Sequence, residues 1–171
     1  RNTSPTASGD VSATNEDIVL TVAANGVLSN DSDFNPNDIL TVTSFTRLTS
    51  SGARVTVYSD GSYVYDPTGV ASFAAWAVGE SALDTFTYTV NDGNGGTDTA
   101  TVSVTVNGVN AAPTANDDTG ATNEGAVLTV MANGVLANDS DIDASNNLTT
   151  IPFVGLSSGG ASVTLNADGS Y

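Results

Sequence analysis

Nearly every reactive side chain in this sequence is a carboxylate. There are 16 Asp and 3 Glu against 3 Arg, no Lys, His or Cys, and a formal net charge of −16. Without imidazole, thiol or amine there is no histidine base, no thiolate nucleophile, no Schiff base and no zinc site of the usual His/Cys kind. What remains is oxygen chemistry. Asp31-Ser32-Asp33 is followed by Asn35, and Asp139-Ser140-Asp141 by Asp143, so carboxylates and amide oxygens crowd within a few residues. Clustered anions repel unless a cation intervenes, and hard oxygen ligands at this density suit Ca²⁺, which takes about 6–8 oxygens in flexible geometry. The loop is not an EF-hand. Asp31, Asp33 and Asn35 fit its first, third and fifth positions, but Pro36 replaces the Gly and Val42 the closing Glu. The same charge repels the phosphate backbone and an anionic membrane surface, so nucleic-acid and membrane partners are excluded as expectations. No apolar run approaches the ~18 residues of a membrane helix.

The elements that position these acids come in a repeat. Thr14-Asn15-Glu16 recurs as Thr122-Asn123-Glu124, Asn25–Asp33 as Asn133–Asp141, and Asp60-Gly61-Ser62-Tyr63 as Asp168-Gly169-Ser170-Tyr171, always 108 residues apart. Of the 50 positions from Thr14 to Tyr63, 29 are identical 108 residues later, which chance does not produce. The first repeat is read as residues 1–112, with a folded core over 5–106 and a linker over 107–112. The second is 113–171 and incomplete, and each opens with Pro-Thr-Ala at Pro5 and Pro113. With no initiator Met and no signal-like start at Arg1, the chain reads as an excerpt of a longer protein or a matured product.

Within a repeat the apolar period is two. Thr85–Val90 and Thr99–Val106 alternate strictly, and Thr and Val suit a pleated, half-buried surface. Ile18–Val22, Ile39–Phe45, Ala53–Tyr58 and Gly61–Tyr65 are further strands, with a hairpin turn at Asp60-Gly61. Ser8–Ala13 reads as a short first strand, weakened by Gly9. About seven strands in ~100 residues is the count of an antiparallel sandwich. Ala71–Val78 alone looks locally helical and reads as a short turn. The expected core is Leu20, Val22, Leu40, Val55, Phe86, Tyr88, Val90, Val102, Val104 and Val106.

The motifs Asn15-Glu16-Asp17, Gly26–Asp33, Asp60–Pro67, Asp84–Asp92 and Gly96–Val102 together resemble the cadherin-like tandem repeats of large secreted bacterial adhesins and biofilm proteins. Such repeats also occur in extracellular proteins with polysaccharide-binding modules. The resemblance covers nearly the whole chain and implies all-β, immunoglobulin-like sandwiches stacked end to end, with an extracellular or cell-surface location. With seven strands running alternately, the Asn30–Asp38 loop, the Asp60-Gly61 turn and the Asn91–Gly96 loop fall at the N-terminal end of the unit. Glu16 and Asp17 fall at the opposite end, beside Asn107. They are therefore expected to face Asp139, Asp141 and Asp143 of the next repeat across Asn110, Asn116, Asp117 and Asp118.

True cadherins resemble this layout, with a Glu from one domain, a linker, and an Asp-x-Asp from the next. The corresponding linker positions here are the neutral Asn107 and Asn110, and the second Glu-bearing motif of cadherins has no match, which implies weaker binding. Each acidic loop also has a plain reading, since Asp and Asn bond their own backbone in turns. Asp60 and Asp168 are read as such turns; Glu16, Glu124 and Asp92 stay open between ligand and solvated turn.

Three functions compete. A glycosidase would need two acids in a cleft, and nothing singles out a pair. A calcium-stiffened spacer or adhesive module needs only stiffness and solubility, and its partners are neighbouring repeats of the same chain. A polysaccharide binder needs an exposed aromatic platform, and Trp76 is the candidate, read more readily as packing. Repeat 2 lacks counterparts of Asp84–Val90 and Thr97–Val106, so its apolar face is expected to be open. Either the chain continues, or another copy in a filament donates the missing strands.

Overall fold

A computed structural model describes residues 1–143 and 145–171. It divides into two units, Arg1–Asn110 and Ala111–Tyr171. Unit one holds eight strands: β1 Asp10–Asn15, β2 Leu20–Val22, β3 Thr41–Val42, β4 Phe45–Leu48, β5 Arg54–Val57, β6 Tyr63–Asp66, β7 Ser81–Asn91 and β8 Thr97–Asn107. They form two four-stranded sheets, ordered β1-β8-β7-β3 and β2-β6-β5-β4. No α-helix occurs among the described residues.

Two features differ from the sequence expectation. The Ile39–Phe45 run is not one strand. β3 pairs with β7, β4 pairs with β5, and the chain changes sheets between them. The second feature is that β1 runs parallel to β8, with Asp10 opposite Val102 and Asn15 opposite Asn107, so this sheet is mixed. Both strands leave the N-terminal end of the unit and point the same way, which a tight hairpin cannot produce but a long return can.

Alternation explains the core. Along β7 every second residue from Asp84 to Val90 is buried, and along β8 so are Val102, Val104 and Val106. These meet Val55, Val57, Tyr63 and Tyr65 of the other sheet; the Tyr63 and Phe86 rings pack edge to face at 5.4 Å. Leu20, Val22 and Leu40 pack only partly buried against this core. The turns over Ala71–Val78 carry Phe73 into it and lay Trp76 half-buried on Phe73, ring centroids 4.7 Å apart. Trp76 is thus a packing residue at the sandwich end.

One inward position on β7 is polar. Asp84 is 1 % exposed and accepts hydrogen bonds from the Tyr65 hydroxyl at 2.8 Å, the Thr49 hydroxyl and the Thr85 N–H.

Unit two reproduces half of this. β9 Phe153–Leu156 and β10 Ser162–Leu165 pair in the register of β4 and β5 shifted by 108. Val130 and Tyr171 exchange backbone hydrogen bonds, as Val22 and Tyr63 pair in unit one. Residues 118–123 and 149–150, the counterparts of β1 and β3, form no strand, because their partners in unit one are β8 and β7. Unit two is therefore one layer of a two-layer fold.

Candidate metal centre

The loops at the N-terminal end of unit one bring three carboxylates together. Ligand oxygens of Asp33, Asp38 and Asp92 all lie within 4.8 Å of one another. Opposed ligands of a calcium ion stand about 5 Å apart, so this is the span of one coordination shell. Asp33 and Asp38 come from the loop after β2, and Asp92 from the turn joining β7 to β8. The bridge between Thr6 and Ser32 ties the first loop to the entering chain.

Each carboxylate is steered by neutral donors. Asp92 is 2 % exposed and accepts from the Asn2 side chain at 2.7 Å and from the N–H groups of Asn94 at 2.7 Å and Gly96 at 2.9 Å. Burial pushes its pKa up, but these donors outweigh it and hold the carboxyl below the usual range. Asp33 accepts from the Asn35 N–H at 2.7 Å, and Asp38 from the Asn94 side chain at 2.8 Å. The second oxygens of Asp33 and Asp38 are buried with no hydrogen-bond partner. Buried anionic oxygens without donors are costly unless a cation meets them. An all-oxygen set of three carboxylates, with the Asn35 amide beside it, fits a hard divalent ion.

Glycine is required next to Asp92. A Cβ on Gly96 would overlap the Asp92 carboxylate and stand 2.8 Å from the Ser4 Cα. Gly96→Ala is expected to displace Asp92 and weaken calcium binding by about 10–100-fold, the usual cost of disturbing a ligand's support. Calorimetry checks the affinity and circular dichroism the retained fold; an unchanged dissociation constant refutes the role given to Asp92.

Asp31 lies apart from this cluster. Its two oxygens stand 3.0 Å from the Tyr88 hydroxyl, and it accepts from the Ser8 N–H at 2.8 Å. Asp10 faces the same hydroxyl and has a buried oxygen without a partner. Burial, with the Asp31 charge adding to it, pushes Asp10 up to about 6 against the opposing hydrogen bonds of Tyr88 and Asn30. Burial also raises Asp31. The folded chain thus holds a proton on Asp10 that the unfolded chain releases near 3.8. The associated stability is full below that pH and is lost as pH rises through about 6. Asp10→Asn should therefore raise the melting temperature at pH 7 and change it little at pH 4. An equal shift at both pH values would show that protonation is not the cause.

The remaining candidates distribute as follows. Glu16 is buried at the opposite end of unit one, where its backbone N–H bonds Asn107 and its carboxylate accepts from the Val109 N–H at 3.3 Å. Asp17, Asn110, Asp117 and Asp118 are exposed. In unit two, Asp139 accepts from the Asn116 N–H as Asp31 does from Ser8, and Asp141 from the Asp143 N–H as Asp33 does from Asn35. Asp143 is 1 % exposed; one oxygen accepts from the Ala111 N–H and the Asn146 amide, and the other is buried without a partner. Asp60 and Asp168 are side-chain-bonded turns onto Ser62 and Ser170.

Asp38 was not among the acids singled out from the sequence. Its counterpart in the second repeat is Asn146, whereas Asn35 is matched by Asp143. Amide and carboxylate are exchanged across one turn, closed by Asp38 N–H to Asn35 in one loop and Asn146 N–H to Asp143 in the other. Comparing charge per loop, instead of position by position, would have revealed it.

Residues 2–108 match the sequence profile of the bacterial cadherin-like domain, and residues 109–171 that of the cadherin-like domain. The chain belongs to the bacterial cadherin-like domain family. Bacterial cadherin-like domains are typically extracellular or surface modules, which suggests a repeat of the adhesion type; such families are typically structural and not enzymatic, and cadherin-like domains generally bind calcium. No helix among the described residues is long and apolar enough to cross a membrane. No curated protein matches the chain. Among solved structures it is similar to a nucleoside hydrolase-related hypothetical protein from Saccharophagus degradans that is associated with carbohydrate metabolism. The identity is 16%, the TM-score 0.37, and the match covers 63% of this chain but only 26% of that one.

Proposed function

We propose that this cadherin-like chain is a calcium-stiffened spacer and adhesive module of a large surface adhesin or biofilm filament protein. The observation that carries the reading is the convergence of Asp33, Asp38 and Asp92 with two buried oxygens that no donor satisfies. The same loops hold the first residues of the unit: Asn2 bonds Asp92, and the Thr3 N–H bonds Asn35 at 3.0 Å. The residues 108 positions later are Asn110, the last of unit one, and Ala111, the first of unit two, and Ala111 bonds Asp143. An ion in these loops would therefore pin the strap by which a repeat follows its predecessor. Stiffness then comes from the ion, and solubility from the charge of −16.

With few formal charges per loop the affinity is expected in the range of extracellular modules, on the order of 10⁻⁴–10⁻³ M. Titration calorimetry tests this. Calcium should bind with that affinity and Mg²⁺ far more weakly, because Mg²⁺ demands near-octahedral geometry and dehydrates reluctantly. Asp33→Asn combined with Asp92→Asn should remove the unit-one event. Absence of any calcium heat up to ~10 mM would overturn the proposal.

A further inference from the structure

β8 pairs with β7 along its whole length, but β3 covers only the last part of the other edge. Thr41 and Val42 lie opposite Asn91 and Val90, the Thr43 N–H bonds the Thr89 carbonyl at 3.0 Å, and the chain then leaves for the other sheet as β4. Backbone groups alternate sides along a strand, so the series that meets β3 at 91 and 89 continues outward at Thr87, Thr85, Leu83 and Ser81. Among the described residues that stretch has no strand partner. Side chains close two of its groups. The Thr85 N–H donates to Asp84 at 2.9 Å. The Arg47 guanidinium, 4.2 Å over the Phe45 ring, donates to the Thr87 carbonyl at 2.5 Å and to the Thr87 hydroxyl at 3.0 Å. Arg47 thus reaches from β4 across to the other sheet. Its own hairpin does not depend on it: β9 and β10 pair in the register of β4 and β5 with Gly155 in its place.

We infer that the open edge of β7 is a strand-pairing surface for a second copy of this chain, and that Arg47 is the latch that keeps it shut in the single chain. An uncovered edge is a template for another strand, and charge or proline on the edge is the usual protection. From Ser81 to Thr89 there is no proline, and the only charged residue is Asp84, which is 1 % exposed and turned inward. The outward side chains are Ser81, Leu83, Thr85 and Thr87, with Leu83 62 % exposed. The stretch is therefore a neutral run of β-forming residues on a molecule of net charge −16. It offers a charged partner nothing, whereas the same strand of a second copy meets it with no like-charge cost. Two-fold symmetry pairs the two strands antiparallel, and β3 lies beyond the paired stretch in each copy. Without Arg47 nothing but the Asp84 bond to Thr85 would guard this edge.

Sedimentation velocity of the whole 171-residue chain tests this at about 0.15 M salt, where charges more than ~8 Å apart are screened. Arg47→Thr places a β-former at an exposed position and should produce concentration-dependent dimers. Amide exchange at Leu83 and Thr87 should slow at least about tenfold as they form. Adding Thr87→Pro should return the variant to the association state of the native chain, because proline removes an outward N–H and leaves the β7–β8 ladder intact. The native chain should sediment the same with and without Thr87→Pro. If circular dichroism shows that Arg47→Thr has lost its β spectrum, Arg47→Gln keeps a stem on Phe45 and carries the same expectation. The inference is overturned if the folded Arg47 variant sediments and exchanges as the native chain does, or if its dimers survive Thr87→Pro. A native dimer that Thr87→Pro dissociates overturns it too, since Arg47 would then not close the edge.

Discussion

Calcium at roughly a hundred times its dissociation constant is expected to stabilise unit one by about 2.7 kcal/mol. For a domain of this size that is a rise in melting temperature on the order of 10–20 °C. The sign follows from the two oxygens of Asp33 and Asp38 that are buried without donors. They raise the free energy of the ion-free fold, and a cation removes that cost only in the folded state, since the unfolded chain separates Asp33 from Asp92. Asp92→Asn should lose most of the calcium-dependent rise while changing the ion-free melting temperature less, because the amide keeps an acceptor for the Gly96 N–H. Asp141→Ala with Asp143→Ala should leave the unit-one rise intact. Scanning calorimetry with calcium and with chelator reads all three. A melting temperature indifferent to calcium would refute the metal centre, and a rise that survives Asp92→Asn would place the ion elsewhere. Small-angle scattering on the same samples reads the stiffening separately, as a more extended, narrower distribution of shapes when calcium is present.

Replacing Asp84 should destabilise the sandwich strongly and independently of calcium. Its carboxylate sits at an inward position of β7 with the Tyr65 hydroxyl 2.8 Å away and the Thr49 hydroxyl beside it. Asp84→Ala strands both donors in the core and leaves a cavity, at a cost of roughly 3–5 kcal/mol. Tyr65→Phe alone should cost less, about 1–2 kcal/mol, since the carboxylate keeps Thr49 and the Thr85 N–H. The double variant should be less destabilised than the sum, with a coupling of about 1–3 kcal/mol. Denaturant unfolding followed by the single Trp76 measures each. Additive losses would mean that Asp84 and Tyr65 do not act as one unit.

Much of this was legible in residue order. The 108-residue repeat and the strict alternation of Thr with Val, Phe and Tyr announce paired strands with one buried face, because side chains on a strand alternate sides whatever the fold. Alternation also placed Asp84 in phase with Phe86, Tyr88 and Val90, so its burial could have been read there. It is the two-residue period, and not hydrophobicity, that sets which face a residue occupies. The loops at the N-terminal end could be placed from strand count alone, since alternating strands put every second loop at the same end.

The tertiary structure decided the rest. Ile39–Phe45 reads as one strand because local propensity is continuous; only the need to cover both sheets splits it into β3 and β4. The parallel pairing of β1 with β8 joins residues about ninety apart, which no local signal encodes. Above all, the three carboxylates come from positions 33, 38 and 92, and Asp31, though spaced like its neighbour Asp33, turns instead to Tyr88. Spacing along a loop says which oxygens are near in sequence, but a coordination shell is chosen by which loops the sheets bring to one end.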